Sequence, residues 1–435
     1  MKEIIEPLRE SKKSEKLEKS DRFSIQSIKP QKSVVIGVSI MIFIIFITIV
    51  MLTLFLYNKS SSKKEEKGNN LFPEKMETSP LMYGTKISNI SYSNNKIIIN
   101  SFKVNGDNYK EEIGNINNGS DYNETDRNKY TLFIPYSATK NKDKYNAIIL
   151  FIHGELWTKG NKEYIEPLAE IYSQYGYITS VMDYTLLSDK YKENNIFRIL
   201  DEITSCIKNL KEKLESEGFD GNKLEIAIGG YSAGAHLALL YSYSINNLPL
   251  KIKFIINISG PVTLEPKYWK KISKENETLE NIEPDDIEKA IYENKILPAV
   301  DDVYFSLNLM NIFIGKKYSK DELNNMIENK AINENNEKYQ ELLNIVKYAF
   351  PVQYSINNTI PTLCIYGGND TLIGINHFAY LKLSYNKTEN NLFMIYSRYA
   401  DHYVINYSIE SNINAMREMH YQILNFSKLY FNSYL

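Results

Sequence analysis

The pentapeptide Gly230-Tyr231-Ser232-Ala233-Gly234 sits between the apolar run 224–228 (LEIAI) and the helix-forming run 235–240 (AHLALL). A G-x-S-x-G between a buried strand and a helix is the setting of a nucleophile elbow. The flanking glycines let the chain turn where a Cβ would clash. The turn holds the serine hydroxyl above the sheet, with its backbone at a helix N-terminus. The five residues alone are a weak signal, because small residues gather in turns. Their strand-turn-helix setting constrains the fold far more.

The rest of the chain repeats that setting. Strand-like runs fall at 130–135, 147–152, 177–182, 252–259, 362–366 and 392–397, and amphipathic helical stretches at 162–175, 196–217, 375–385 and 409–429. Apolar runs alternating with amphipathic helices predict an α/β fold, a mostly parallel, doubly wound sheet covered on both faces. Ligands of such sheets bind outside the carboxyl ends of the strands. His153, Gly154, Ser232, Asp370 and His402 all fall just after predicted strand ends. Residues 265–348 interrupt the alternation with a long, polar, helical stretch. Two readings stand for it: a cap inserted over the site, or a peripheral insertion away from substrate.

The chain before the sheet divides into three. Residues 1–33 form a basic, polar tail. Residues 34–57 (VVIGVSIMIFIIFITIVMLTLFLY) carry no charge, and as a helix they would span about 36 Å, enough to cross a bilayer. They have no polar face and no following cleavage site, which argues against a core helix and a signal peptide. Residues 58–85 read as a stalk, and 86–435 as the globular domain, beginning with a strand-like stretch at 86–104 and a loop at 106–128. Lysines flank both sides of the span almost equally. The wider tail adds Lys12, Lys13, Lys16, Lys19 and Arg22, which favours a cytosolic N-terminus and a lumenal or extracellular domain. N-x-S/T sequons at Asn89, Asn118, Asn123, Asn276, Asn386 and Asn425 suit that orientation. Asn257 lies in a predicted core strand and is expected to stay unglycosylated. A net charge of −2 gives no reason to expect a nucleic-acid partner. The two cysteines, Cys206 and Cys364, fall in apolar patterns and read as buried free thiols.

A serine nucleophile needs a base within hydrogen-bond reach and an acid that orients the base. The chain has five histidines. His153 ends a strand, His236 points back from the elbow helix into the fold, His377 starts a helix and His420 lies inside the closing helix. Only His402 occupies a loop after the last strand. Asp370, after Tyr366-Gly367-Gly368-Asn369, follows a buried strand and a flexible turn. It gives the chain order Ser232, Asp370, His402. Asp370 also fits an ordinary Asx turn, and Asp401, adjacent to His402, is the lesser alternative acid. Backbone N–H groups for a developing oxyanion would come from Ala233 and from the turn at Gly154 and Glu155. No Cys/His metal-ligand spacing occurs, and no cofactor is expected.

Together these residues resemble the α/β-hydrolase superfamily. The likeness is closest to its esterase/lipase group with a His-Gly-Gly motif and a G-x-S-A-G elbow: hormone-sensitive-lipase-like and feruloyl-esterase-like carboxylesterases and isoprenylcysteine methylesterases. It is carried by FIHGELWTKGNKEYIEPLAEIYSQYGYITSVMDYTLL, IGGYSAGAHLALLYSY, IINISGPVTL and IPTLCIYGGNDTLIGINHFAYL, and covers about residues 130–435. Three positions depart from it. Glu155 stands where a second glycine is usual, Thr185 replaces an arginine in Asp183-Tyr184-Thr185-Leu186, and Asp401-His402 replaces Gly-His. The resemblance implies a serine hydrolase of carboxylic esters, small or lipid-like, working through an acyl-serine intermediate, and the uncharged run 34–57 adds the expectation of a membrane anchor. Glu155 keeps a second reading open, a hydrolase-like binding module with little or no turnover. An amidase or peptidase on the same fold is a third.

Overall fold

The computed structural model describes residues 85–91, 127–143, 145–188, 194–265, 270–272, 296–298, 303–385, 391–406 and 409–431. Among them, eight strands form one sheet: β1 (Thr85–Ser91), β2 (Lys129–Ile134), β3 (Ala147–Ile152), β4 (Ile178–Met182), β5 (Glu225–Tyr231), β6 (Lys251–Ile258), β7 (Thr362–Gly367) and β8 (Leu392–Ser397). Their order is β1-β2-β4-β3-β5-β6-β7-β8. β1 and β2 pair antiparallel, as do β2 and β4; the remaining pairs are parallel. The α/β expectation therefore holds, with an antiparallel edge on a parallel sheet.

The unbroken apolar runs follow from covering both faces. Every residue of β3 is buried. Ile148, Leu150 and Ile152 enter one core, while Ala147, Ile149 and Phe151 enter the other. The first core takes α2 (Ile196–Ser216) and α3 (Ala233–Ser244), and the second takes α1 (Glu166–Gln174) and α7 (Ile413–Tyr430). A strand buried on both sides has no polar face to alternate with. α2 starts where Asn195 accepts hydrogen bonds from the N–H groups of Phe197 and Arg198, a side-chain N-cap.

The described part of 265–348 contains α4 (Val303–Phe313) and α5 (Glu337–Val346). Leu307, Met310, Phe313, Leu342 and Val346 join the core that holds α2 and α3. β7 is followed by α6 (Asn376–Ser384). Asn257 is fully buried: its amide donates to Tyr366 Oη (2.9 Å) and its Oδ1 accepts from Gly260 N (2.9 Å), so this sequon is closed to modification. Cys206 and Cys364 are buried free thiols, as expected.

The tail, the apolar stretch 34–57 and the stalk up to residue 84 lie outside the described residues, as do 92–126. Among the described residues no helix is long and apolar enough to cross a membrane.

Candidate active site

Ser232 follows the last residue of β5 and caps α3, with φ +53° and ψ −118°. For a residue with a Cβ, positive φ costs about 1–2 kcal/mol, and the surroundings must hold it there. Two backbone bonds do so. Ser232 N donates to Ile258 O on β6 (2.8 Å), and Ser232 O accepts from His236 N (3.1 Å). The flanking glycines permit contacts no side chain would allow. A Cβ on Gly230 would meet Gly234 C at 2.4 Å, and one on Gly234 would meet Ile152 O at 2.0 Å and His153 O at 2.4 Å. The elbow is thus pressed against its own helix and against the end of β3.

The structure brings the three residues named from chain order together. His402 Nε2 lies 3.0 Å from Ser232 Oγ, and His402 Nδ1 lies 2.8 Å from Asp370 Oδ2. All three side chains are almost fully buried. The other oxygen of Asp370 accepts from Leu372 N (2.9 Å) and Ile373 N (2.8 Å). Asp370 therefore makes an Asx turn and reaches the imidazole at once, one oxygen for each. Asp401 faces elsewhere: its carboxylate accepts from Tyr403 N and Asn412 Nδ2, both at 2.8 Å. The remaining histidines are core residues. Burial pushes His153, His236 and His377 down to about 3, and His420 to about 4, so all four are neutral near pH 7.

The turn after β3 lies directly over the elbow. A Cβ on Gly154 would come within 2.8 Å of Tyr231 O and 3.2 Å of Ser232 Cβ. Glu155, Leu156 and Trp157 follow with φ of +75°, +54° and +61°. Glu155 thus occupies a left-handed position, which explains why glycine suits this place better. Among the described residues, the N–H groups of Gly154, Glu155 and Ala233 donate to no acceptor. Ala233 opens the elbow helix and Gly154 lies against Ser232, and free donors in that neighbourhood are of the kind that can stabilise a developing negative charge.

Several supports of this turn escape sequence reasoning. Arg127, just before β2, donates to Tyr184 O (3.0 Å) and Gly160 O (2.6 Å) and lies 3.6 Å from Asp183. A guanidinium thus stands beside Asp183 although position 185 is threonine. Thr185 instead binds the buried carboxylate of Glu202 through both its N–H (2.7 Å) and its hydroxyl (2.5 Å). Burial pushes Glu202 up, while Arg198 and Thr185 pull it back. His153 stacks on Tyr184 with ring centroids 4.3 Å apart, and Tyr184 Oη donates to His153 O (3.2 Å). Tyr231 Oη donates to His402 O (2.9 Å), tying the base's backbone to the elbow. Trp157 packs edge-on against His236 (5.1 Å) and against Phe313 of α4 (4.8 Å). Phe313, in the described part of 265–348, therefore packs against the turn after β3. No sequence signal marks Arg127, which stands in an Asn/Asp-rich stretch. The aromatic character of Tyr231 and Trp157 was visible, but their partners were not.

Among the described residues, no three His, Cys, Asp or Glu side chains converge as metal ligands. The arrangement can activate a hydroxyl, stabilise an oxyanion and protonate a leaving group, which is the chemistry of acyl transfer.

Solved structures similar to the chain include esterase B of Lactobacillus rhamnosis (13% identity, 88% of this chain and 95% of that one, TM-score 0.48). Others are a truncated carbohydrate esterase from gut microbiota (13%, 80% and 99%, 0.48) and a hyperthermophilic esterase from Pyrobaculum calidifontis (16%, 70% and 82%, 0.45). No curated protein matches the chain. The family model described as BD-FAE matches residues 135–384, more than half of the sequence. The chain belongs to the BD-FAE family, a family of α/β-hydrolase-type esterases, and is a carboxylic ester hydrolase.

Proposed function

We propose that the protein is a membrane-anchored serine esterase working through an acyl-serine intermediate. The observation that carries the reading is the continuous chain from Ser232 Oγ through His402 to Asp370, with bonds of 3.0 and 2.8 Å. Ser232 Oγ attacks the ester carbonyl carbon while its proton passes to His402 Nε2. The carbonyl oxygen becomes an oxyanion held by the N–H groups of Ala233, Gly154 and Glu155. The tetrahedral intermediate collapses, the C–O bond to the alcohol breaks, and His402 returns the proton to the leaving alkoxide. Water then attacks the acyl-serine with the same histidine as base, releasing the acid and restoring Ser232. Asp370 fixes the tautomer that presents an unprotonated Nε2 to Ser232 and supports the imidazolium when it forms.

A fluorophosphonate probe applied to the full chain should label Ser232, and Ser232→Ala should remain unlabelled. Full labelling of the alanine variant would sink the assignment. The anchor rests on the uncharged run 34–57, and the lumenal or extracellular orientation on the basic tail before it. Glycosidase treatment of the expressed protein tests the orientation. A shift in mobility is expected, and its absence counts against a lumenal domain.

A further inference from the structure

The loop that carries His402 is anchored unevenly. Asn412, just before α7, holds the residues on either side. Its Oδ1 accepts from Asp401 N (3.1 Å), and its Nδ2 donates to Asp401 Oδ1 (2.8 Å) and to Tyr403 O (2.9 Å). Ala400 O accepts from Asn369 N (2.9 Å). Asp370 reaches only the imidazole of His402. Among the described residues, the backbone of His402 itself makes one hydrogen bond, the 2.9 Å bond that its carbonyl oxygen accepts from Tyr231 Oη.

That donor belongs to the elbow. Tyr231 ends β5, immediately before the nucleophile, and is buried. Its ring lies against His402, with centroids 5.2 Å apart. It also meets the turn after β3, since a Cβ on Gly154 would come within 3.1 Å of Tyr231 Cδ1. Burial first, and then the charge of Asp370, push the Tyr231 phenol well above its ordinary range, so Oη keeps its proton and remains a donor. The pair Tyr231-Ser232 therefore meets His402 at two points: Oη at the carbonyl (2.9 Å) and Ser232 Oγ at Nε2 (3.0 Å). The peptide between the two residues closes these contacts into a ring. One hydrogen bond alone lets an imidazole pivot, whereas a second attachment, on the backbone of the same residue, removes that freedom.

We propose that Tyr231 is the positioning residue of the base, its hydroxyl fixing where His402 Nε2 stands relative to Ser232 Oγ. The inference rests on the serine-esterase reading above. Tyr231 touches no reacting atom and takes no proton; it acts through His402. Without Oη the carbonyl of His402 loses its partner, and the backbone shifts towards another donor, carrying Nε2 off line. A misplacement of about 1 Å can cost on the order of a hundredfold. With Asp370 and Asn412 still in place, a loss of about 10–30-fold in kcat is expected.

The test is Tyr231→Phe in the full chain, which removes Oη and keeps the ring against Gly154. Active sites are counted by the end point of fluorophosphonate labelling, so rates refer to competent sites whatever fraction of the protein folds. Labelling should run about 10–30-fold more slowly than in wild type, and kcat per labelled site on p-nitrophenyl butyrate should fall by the same factor, with KM within about twofold. The acid limb of the kcat/KM profile should move by less than about half a pH unit, because the lost bond is to backbone and not to the imidazole. Tyr243→Phe, at the far end of α3, is the control. It removes a phenol hydroxyl bonded to Thr362 Oγ1 (3.0 Å) and should lower melting while leaving kcat per site within about twofold.

A purely structural Tyr231 would give fewer labelled sites, each turning over at the wild-type rate. That result, a loss confined to KM, a limb moved by about a unit or more, or an equal fall in Tyr243→Phe overturns the inference. Labelling of wild-type Ser232 leaves the esterase reading intact in each of those cases. If wild-type Ser232 takes no label, the esterase reading falls and this inference falls with it.

Discussion

Asp370→Asn tests how the acid is held. The carboxylate has two ends with different duties: Oδ1 accepts from Leu372 N and Ile373 N, and Oδ2 faces His402 Nδ1. An asparagine must choose. With its oxygen at the Oδ1 place it keeps both backbone bonds, each worth about 1 kcal/mol and costlier still if left unmade. With its nitrogen there, three donors would crowd together. The first arrangement wins, so the amide N–H₂ is directed at His402 Nδ1. The imidazole must then carry its proton on Nε2, facing Ser232, where it cannot act as a base. The same tautomer error in a serine-protease triad costs about 10⁴ in kcat. A loss of about 10³–10⁴, or roughly 4–5.5 kcal/mol of transition-state stabilisation, is expected here. The assay is kcat on p-nitrophenyl butyrate for both proteins, with thermal melting to show that the fold survives. Asp401→Asn should change kcat no more than about threefold, since its partners are Tyr403 N and Asn412. Asp370→Asn within tenfold of wild type, or Asp401→Asn as damaging as Asp370→Asn, would refute the reasoning.

Gly234→Ala places a methyl 2.0 Å from Ile152 O, and overpacking of this kind should cost about 3 kcal/mol, read as a lowered urea midpoint; an unchanged midpoint refutes the close approach. Arg127→Lys cannot keep the fork to Tyr184 O and Gly160 O beside Asp183, and about 2–3 kcal/mol of stability should go, with no loss on melting as the contrary result. His420, held down to about 4 by burial, takes its proton in the unfolded chain near pH 6.5 but not in the folded one. Its contribution is therefore full above pH 6.5 and is lost as pH falls towards 4, at up to about 1.4 kcal/mol per unit. The stability gap between wild type and His420→Gln should narrow by roughly 2 kcal/mol between pH 7 and pH 5 in urea titrations, and a constant gap contradicts it.

Chain order and local pattern made the Ser232, His402 and Asp370 constellation legible. Ser232 was marked by its glycines, Asp370 by the strand before it, and His402 because the other four histidines sat in helices or at a strand end. These are properties of one segment at a time. What stayed hidden depends on pairs of distant segments. Arg127 meets Asp183 and Gly160 only because β2, β4 and the turn after β3 converge. Tyr231 meets His402 across 171 positions of sequence, and Trp157 meets Phe313 through a helix in a region with no strand pattern. Glu155 shows the limit most clearly. Its identity was visible as a departure from glycine, but its left-handed backbone belongs to the folded chain.

The order of strands carries a consequence for the spacing of the chemistry. Ser232 leaves the end of β5 and Asp370 the turn after β7, with β6 between them. Neighbouring strands are about 4.8 Å apart, so the two segments start roughly 10 Å from each other. No serine and aspartate could touch across that gap, whereas one imidazole with a hydrogen bond at each end can bridge it. The sheet's hydrogen-bond ladder thus acts as a ruler that admits a histidine and nothing shorter. Because that ruler is made of backbone, side chains around the mouth can change without altering the distance between nucleophile and acid.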